Sequence, residues 1–237
     1  MLSEWFAREL VRLGRLELPP GAALDQMTHL AAREVPGCAG LAVLVWQDGA
    51  AVQVATSDPD AGALLEFQLA AHEGPHWETR RSGAPVLVTD TLTERRWPRY
   101  AALALRHGVR SGVAVSLPSE DSVVTVEFQA IRPAAFDGPA AVPLAVLLTE
   151  HLSVTFGNAE RYEAAAREVS DMRRARDSSD VISEAKGMLM RAYGCDSETA
   201  FAQLRRMSQR SQLKLAEVAR RLVRQHTAQD PEPSPEA

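Results

Sequence analysis

Apolar positions in the first 130 residues fall into short runs separated by turn residues. "GLAVLVW" (40–46) and "AVQVAT" (51–56) flank "QDGA", which predicts a β-hairpin with Asp48-Gly49 at its turn. "PVLVTD", "SGVAVSL" and "SVVTVEFQA" are three further strand-type runs, the last two flanking "PSED". Between and before them lie helical patterns. "LSEWFARELVRL" sets Leu2, Phe6, Leu10 and Leu13 on one stripe, and a second short helix follows a Pro-Pro-Gly break and runs through Met27, Leu30 and Ala31. "ALLEFQLAAH" and "RYAALALRHG" read as helices between strands. Five strands with interspersed helices predict an α+β domain on an antiparallel sheet.

From about Pro139 the pattern turns helical, with no proline between Pro143 and the tail. Leu148, Leu152, Ala159, Tyr162, Ala166 and Val169 recur at three, four or seven residues. This predicts one long helix, or two nearly end to end, whose seam is covered by a partner helix in a parallel dimer. The alternative is a seam packed on the chain's own sheet. Three short helices are then expected. The first, at about 178–193, ends at Gly194. The second is capped by Asp196 and carries Ala200, Phe201, Leu204 and Met207, with Phe201 in its core. The third presents Leu215, Val218, Ala219, Leu222 and Val223. The stretch 227–237, proline-rich and acidic, reads as a disordered tail.

Charge changes this picture by dividing the chain. The net charge of −5 splits into −7 over residues 1–170, +5 over 171–226 and −3 over the tail. A basic helical module on an acidic body points to a polyanionic partner. No run approaches the roughly 18 apolar residues of a membrane span. The start carries no basic signal-peptide region. Two distant cysteines, Cys38 and Cys195, indicate a reduced, cytoplasmic protein without a disulfide framework.

The chemistry of catalysis is hard to find. "HEGPH" (72–76) matches the zinc-protease spacing, which requires two histidines on one helical turn. Gly74 and Pro75 break that turn, leaving a loop after a helix; a ligand or metal pocket at His76 is the lesser alternative. Cys38 reads as a packed thiol. The carboxylates show no evident pair, and no Walker loop, G-x-S-x-G or G-x-G-x-x-G is present. The chain is therefore read as a non-enzyme without metal or cofactor, with an unassigned small-molecule effector left open.

The other signal is a lysine. Of 26 basic residues 24 are arginine, and Lys186 and Lys214 are the only lysines. Lys186 precedes Gly187 inside a helical stretch, and a mid-helix glycine costs about 1 kcal/mol relative to alanine. A close neighbour must offset it, either a packed helix or a ligand. Lys186 and Met190 share one face, and a compact ammonium suits phosphate.

At these residues the chain resembles the ANTAR family, the RNA-binding output domain of antitermination regulators, over 171–226. The matching pieces are "ISEAKGMLM", "TAFAQLRRMSQ" and "KLAEVARRLV", with Gln212 where asparagine is common and Asp196 where serine or threonine is. "EFQLAAHEGPHWETRRSGAPVLVTD" and "RRWPRYAALALRHGVRSGVAVSL" resemble GAF sensor domains over much of 1–160, with His76 where many have cysteine. The resemblance implies a GAF-like domain with a five- to six-stranded antiparallel sheet (1–160), a coiled-coil linker helix (160–178) and a three-helix ANTAR unit (171–226). It further implies a homodimer that binds paired hairpin loops in nascent RNA, under control of the GAF domain. By position, Lys186 and Arg191 would meet phosphate, Gly187 would allow close approach, Ala185 and Met190 would pack beside loop bases, and Arg205, Ser208 and Lys214 would extend the surface. The alternatives are a DNA-binding regulator using the helices as a helix-turn-helix, and a haem or redox sensor at His72 or His76.

Overall fold

The computed structural model describes residues 8, 9, 12, 18–119 and 122–229. The expected stripe of Leu2, Phe6, Leu10 and Leu13 and the residues from 230 on lie outside them. The chain divides into two compact units, 1–164 and 165–237.

The first unit is a three-layer sandwich. Strands β1 (Gly40–Gln47), β2 (Ala50–Thr56), β3 (Val86–Val88), β4 (Ser111–Ser119) and β5 (Ser122–Ala130) form one antiparallel sheet in the order β2-β1-β5-β4-β3. All five coincide with the predicted runs. The β1–β2 turn is carried by Asp48 and Gly49, at φ of 49° and 85°. Such a turn needs two left-handed residues in succession, hence Asp-Gly.

Helices α1 (Pro20–Glu34), α2 (Pro59–Ala71), α3 (Pro75–Ser82) and α4 (Pro98–Arg106) each begin with proline. There the missing N–H costs nothing, and the fixed φ is already helical. The same rule corrects the reading of 72–76. His72 closes α2 in the left-handed region, Gly74 turns the chain at φ 121°, and Pro75 opens a new helix rather than a loop. His72 and His76 therefore sit on opposite sides of a break.

One sheet face carries Leu41, Val43, Val45, Val113, Val124, Val126 and Phe128 against α1 and the start of α5, a 53-residue helix (Ala141–Tyr193). Leu148, Leu152 and Phe156 of α5 are buried there, and Ala159 is buried as well. This first part of the expected dimer seam is thus spent on the chain's own sheet. Tyr162, Ala166 and Val169 are exposed. The other sheet face meets α2, α3 and α4 through Ala42, Leu44, Trp46, Leu64, Leu65, Tyr100 and Ala104. Cys38 is the packed thiol expected. It donates to the Gly40 carbonyl at 3.1 Å, and burial pushes it up to about 11.

In the second unit the expected first helix is the last part of α5, followed by α6 (Ser197–Ser211) and α7 (Leu215–Gln229). Gly194, at φ 59°, ends α5, and Asp196 caps α6 by accepting the Thr199 N–H at 2.8 Å. Helix α7 runs three residues into the stretch read as tail. Gln212 closes α6 in the left-handed region at φ 54°, a conformation that asparagine adopts more readily than glutamine. The core is small and rich in alanine, consisting of Ala185, Leu189, Ala200, Leu204, Val218 and Ala219. Small side chains let the helices approach closely. No helix among the described residues is long and apolar enough to cross a membrane.

Candidate nucleic-acid interface and a buried polar cluster

The helical spacing sorts the expected RNA-contacting residues into three environments. Ala185 is fully buried in the core of the second unit, which corrects its assignment beside loop bases, because its methyl faces Leu189 and Leu204 rather than solvent. Ser208 is tied down, its hydroxyl donating to the Leu213 carbonyl at 2.6 Å across the α6–α7 loop. Lys186 and Met190 are half-buried, whereas Gly187, Arg191, Arg205 and Lys214 are exposed.

Two rows emerge. Lys186, Met190 and Tyr193 recur at i, i+4 and i+7 on α5, so Tyr193, 66% exposed, extends the lysine's face. Phe201 and Arg205 are i, i+4 neighbours on α6, and Phe201 is 42% exposed, not the core residue its stripe predicted. Over Gly187 a Cβ would meet no atom within 4 Å. Helix packing within the chain therefore does not account for this glycine.

Electrostatics separates this region from α7. All six cations between residues 186 and 214 (Lys186, Arg191, Arg205, Arg206, Arg210 and Lys214) make no ion pair among the described residues. By contrast, Arg220, Arg221 and Arg224 all lie within 3.4–3.7 Å of the Glu217 carboxylate. These six unpaired cations thus belong to the end of α5, α6 and the loop after it.

The first unit holds a second site that sequence reading missed. Thr125, Glu127 and Gln129 alternate along β5 on the face covered by α2–α4, and all are buried. The Tyr100 hydroxyl donates to Glu127 Oε1, and Gln68 Nε2 donates to Oε2 at 2.7 Å. His76 Nδ1 is 2.9 Å from Thr125 Oγ1, which also accepts Trp46 Nε1–H at 2.9 Å. His76 Nε2 lies 3.5 Å from Glu127 Oε2. Burial lowers His76 to about 3, so its ring is neutral. Burial raises Glu127, and burial with the adjacent carboxylate raises Tyr100 well above its ordinary value. One clue was available in advance, since a glutamate at an inward position of an apolar strand needs a partner.

Comparison with known proteins agrees with both halves. A family model described as "ANTAR domain" matches residues 170–223. The GAF domain of a phosphoenolpyruvate-protein phosphotransferase (ptsP) from Coxiella burnetii is similar in fold, with a TM-score of 0.53 and 16% identity over 68% of this chain and 95% of that one. A LuxR-family transcription factor from Burkholderia cenocepacia, CepR2, described as dependent on N-acylhomoserine lactone, gives 0.50 and 12% identity over 62% and 90%. No curated protein matches the chain. A unit of GAF fold followed by an ANTAR domain, the RNA-binding module of antitermination regulators, gives the chain a GAF–ANTAR architecture.

Proposed function

We propose that the chain is a dimeric antiterminator. Its ANTAR units hold paired hairpin loops of a nascent transcript, so that a competing terminator does not form, and the GAF-fold unit controls that binding without catalysing a reaction. The observation that carries this reading is the set of six unpaired cations, interleaved with exposed Tyr193 and Phe201. Backbone charge combined with aromatic faces for unstacked bases is how proteins take hold of RNA loops. Lys186 and Arg191 serve phosphate, Gly187 admits the backbone, and Met190, Arg205 and Lys214 widen the surface. The same rows argue against a helix-turn-helix reader of DNA, which would concentrate free cations on its recognition helix. In α7 the three arginines share Glu217.

Crosslinking of RNA to the protein in cells should recover transcripts with two adjacent hairpins. Lys186→Ala should weaken binding to those RNAs about tenfold through the loss of a phosphate contact; unchanged binding would sink the assignment. Gly187→Ala separates contact from packing. The added methyl enters open space, so helix stability should rise by up to about 1 kcal/mol while RNA affinity falls. A loss of stability would show that the glycine serves packing.

For the dimer, exposed Leu147, Val154 and Tyr162 recur at seven and eight residues in the first unit's part of α5, and exposed Val169 and Met172 lie in the second unit's part. We assign these residues, rather than Leu148 and Leu152, to the seam with a second copy. Val169→Glu should raise the dimer dissociation constant by about tenfold or more in sedimentation equilibrium.

A further inference from the structure

A cleft of about 530 Å³ opens in the GAF-fold unit, within the ~300–1,000 Å³ range typical of small-molecule sites. Its walls come from the α2–α3 junction (His72, Glu73), from α3 (Trp77, Arg80) and from Trp97 ahead of α4. Both indoles are held in place. Trp77 Nε1 donates to the Gln68 carbonyl at 2.7 Å, and Trp97 stands edge-on to buried Tyr100 with centroids 6.3 Å apart.

Four carboxylate and guanidinium side chains line this cleft, and they are not equivalent. Glu78 and Arg81 satisfy one another, with Arg81 Nη2 donating to both oxygens at 2.8 Å. The other two are left over. Glu73 Oε1 is shut away from solvent and accepts no hydrogen bond. Arg80 makes no ion pair among the described residues, its guanidinium lying over Trp46 at 4.3 Å and Trp77 at 5.5 Å. Glu73 and Arg80 both line the cleft and neither has an ion-pair partner among the described residues, so each is left to take one charge of a bound ligand.

We propose that this cleft binds a small zwitterion with an apolar body, of free amino-acid or dipeptide size. The ligand's ammonium meets Glu73, its carboxylate meets Arg80, and its side chain lies against Trp77 and Trp97. An anion alone would leave Glu73 unanswered and stand beside two carboxylates. A cation alone would leave Arg80 unanswered. A neutral aromatic would satisfy neither. The site supplies the input for the control step proposed above and rests on that reading for its role. Binding itself is measured without RNA, so a failure here and a failure of the RNA reading are told apart.

The test titrates full-length protein with the twenty free amino acids and a set of unblocked apolar dipeptides, followed by tryptophan fluorescence and calorimetry. One or more should bind with one ligand per chain and change the emission of Trp77 and Trp97. The N-acetyl and methyl-ester forms of that ligand should each bind about tenfold more weakly or worse, as should Glu73→Gln and Arg80→Gln variants with unchanged circular dichroism and unfolding midpoint. Arg81→Gln, whose partner is Glu78, should bind almost as wild type. The proposal is overturned if no member of the panel binds, if binding survives blocking of either terminus, or if Arg81→Gln loses as much as Arg80→Gln.

Discussion

Glu127→Ala should destabilise the GAF-fold unit by about 3–5 kcal/mol, the range for breaking a buried charged network from one side. The carboxylate is fully buried and accepts from Tyr100 and Gln68, with His76 Nε2 3.5 Å away. Removing it leaves the Tyr100 hydroxyl and a Gln68 N–H without acceptors, at about 1–3 kcal/mol each. Gln68 cannot turn to compensate, because its Oε1 already accepts the His76 N–H at 2.9 Å. Glu127→Leu with Tyr100→Phe removes both sides of one bond and should recover part of the loss. Chemical denaturation of the full chain, monitored at tryptophan, measures this; a loss below about 1 kcal/mol would show that water replaces the carboxylate.

The same cluster sets a pH dependence. His76 is held down to about 3 from 6.5, so between those values the unfolded chain binds a proton that the folded chain refuses, and stability falls as pH falls through that window. Glu127 is raised above 4.5, so its contribution is lost as pH rises through the folded value. The two slopes oppose above 4.5, and His76 acts alone between about 3 and 4.5. Acid unfolding should therefore steepen below pH 4.5, and His76→Gln should flatten that limb.

Leu204→Ala should have an effect of similar size in the other unit, about 3–4 kcal/mol. Leu204 is fully buried, and three of the other five buried core residues are alanine. One leucine thus supplies a large share of the apolar volume, and units this small have little stability to spare. Hydrogen exchange should show amides of α6 and α7 losing protection while β1 and β5 keep theirs. RNA recovery by crosslinking should fall with it. Retained protection in α6 would mean that neighbouring side chains close the cavity.

What was legible in the sequence follows from what periodicity can report. Strand β1 was visible because it is buried on both faces and reads as an unbroken apolar run, and β5 because β-branched and aromatic residues dominate it although Thr125, Glu127 and Gln129 alternate with them. Helix α3 escapes the periodicity because Pro75 reads as a break, although proline also opens α1, α2 and α4. The α5 stripe was real, yet spacing says only that a face is apolar, not what covers it. Leu148 and Leu152 went to the sheet and Tyr162 to solvent. Ala185 and Phe201 exchanged roles for the same reason, since in a core built of alanines a methyl can lie inside and a ring outside. Gln68, Tyr100 and Glu127 are separated by 27 and 59 residues from their partners in the cluster, and only the fold brings them together.

The gathering of three arginines on Glu217 bears on how binding should respond to salt. A cation already sharing a carboxylate displaces fewer counterions from a phosphate than a free one does. The affinity for single-stranded loops should therefore track the six unpaired cations, with a slope of log K against log salt no steeper than about −4 per ANTAR unit. Glu217→Gln should release Arg220, Arg221 and Arg224 and make that slope steeper. The glutamate in effect sets how strongly ionic strength tunes the protein's hold on RNA.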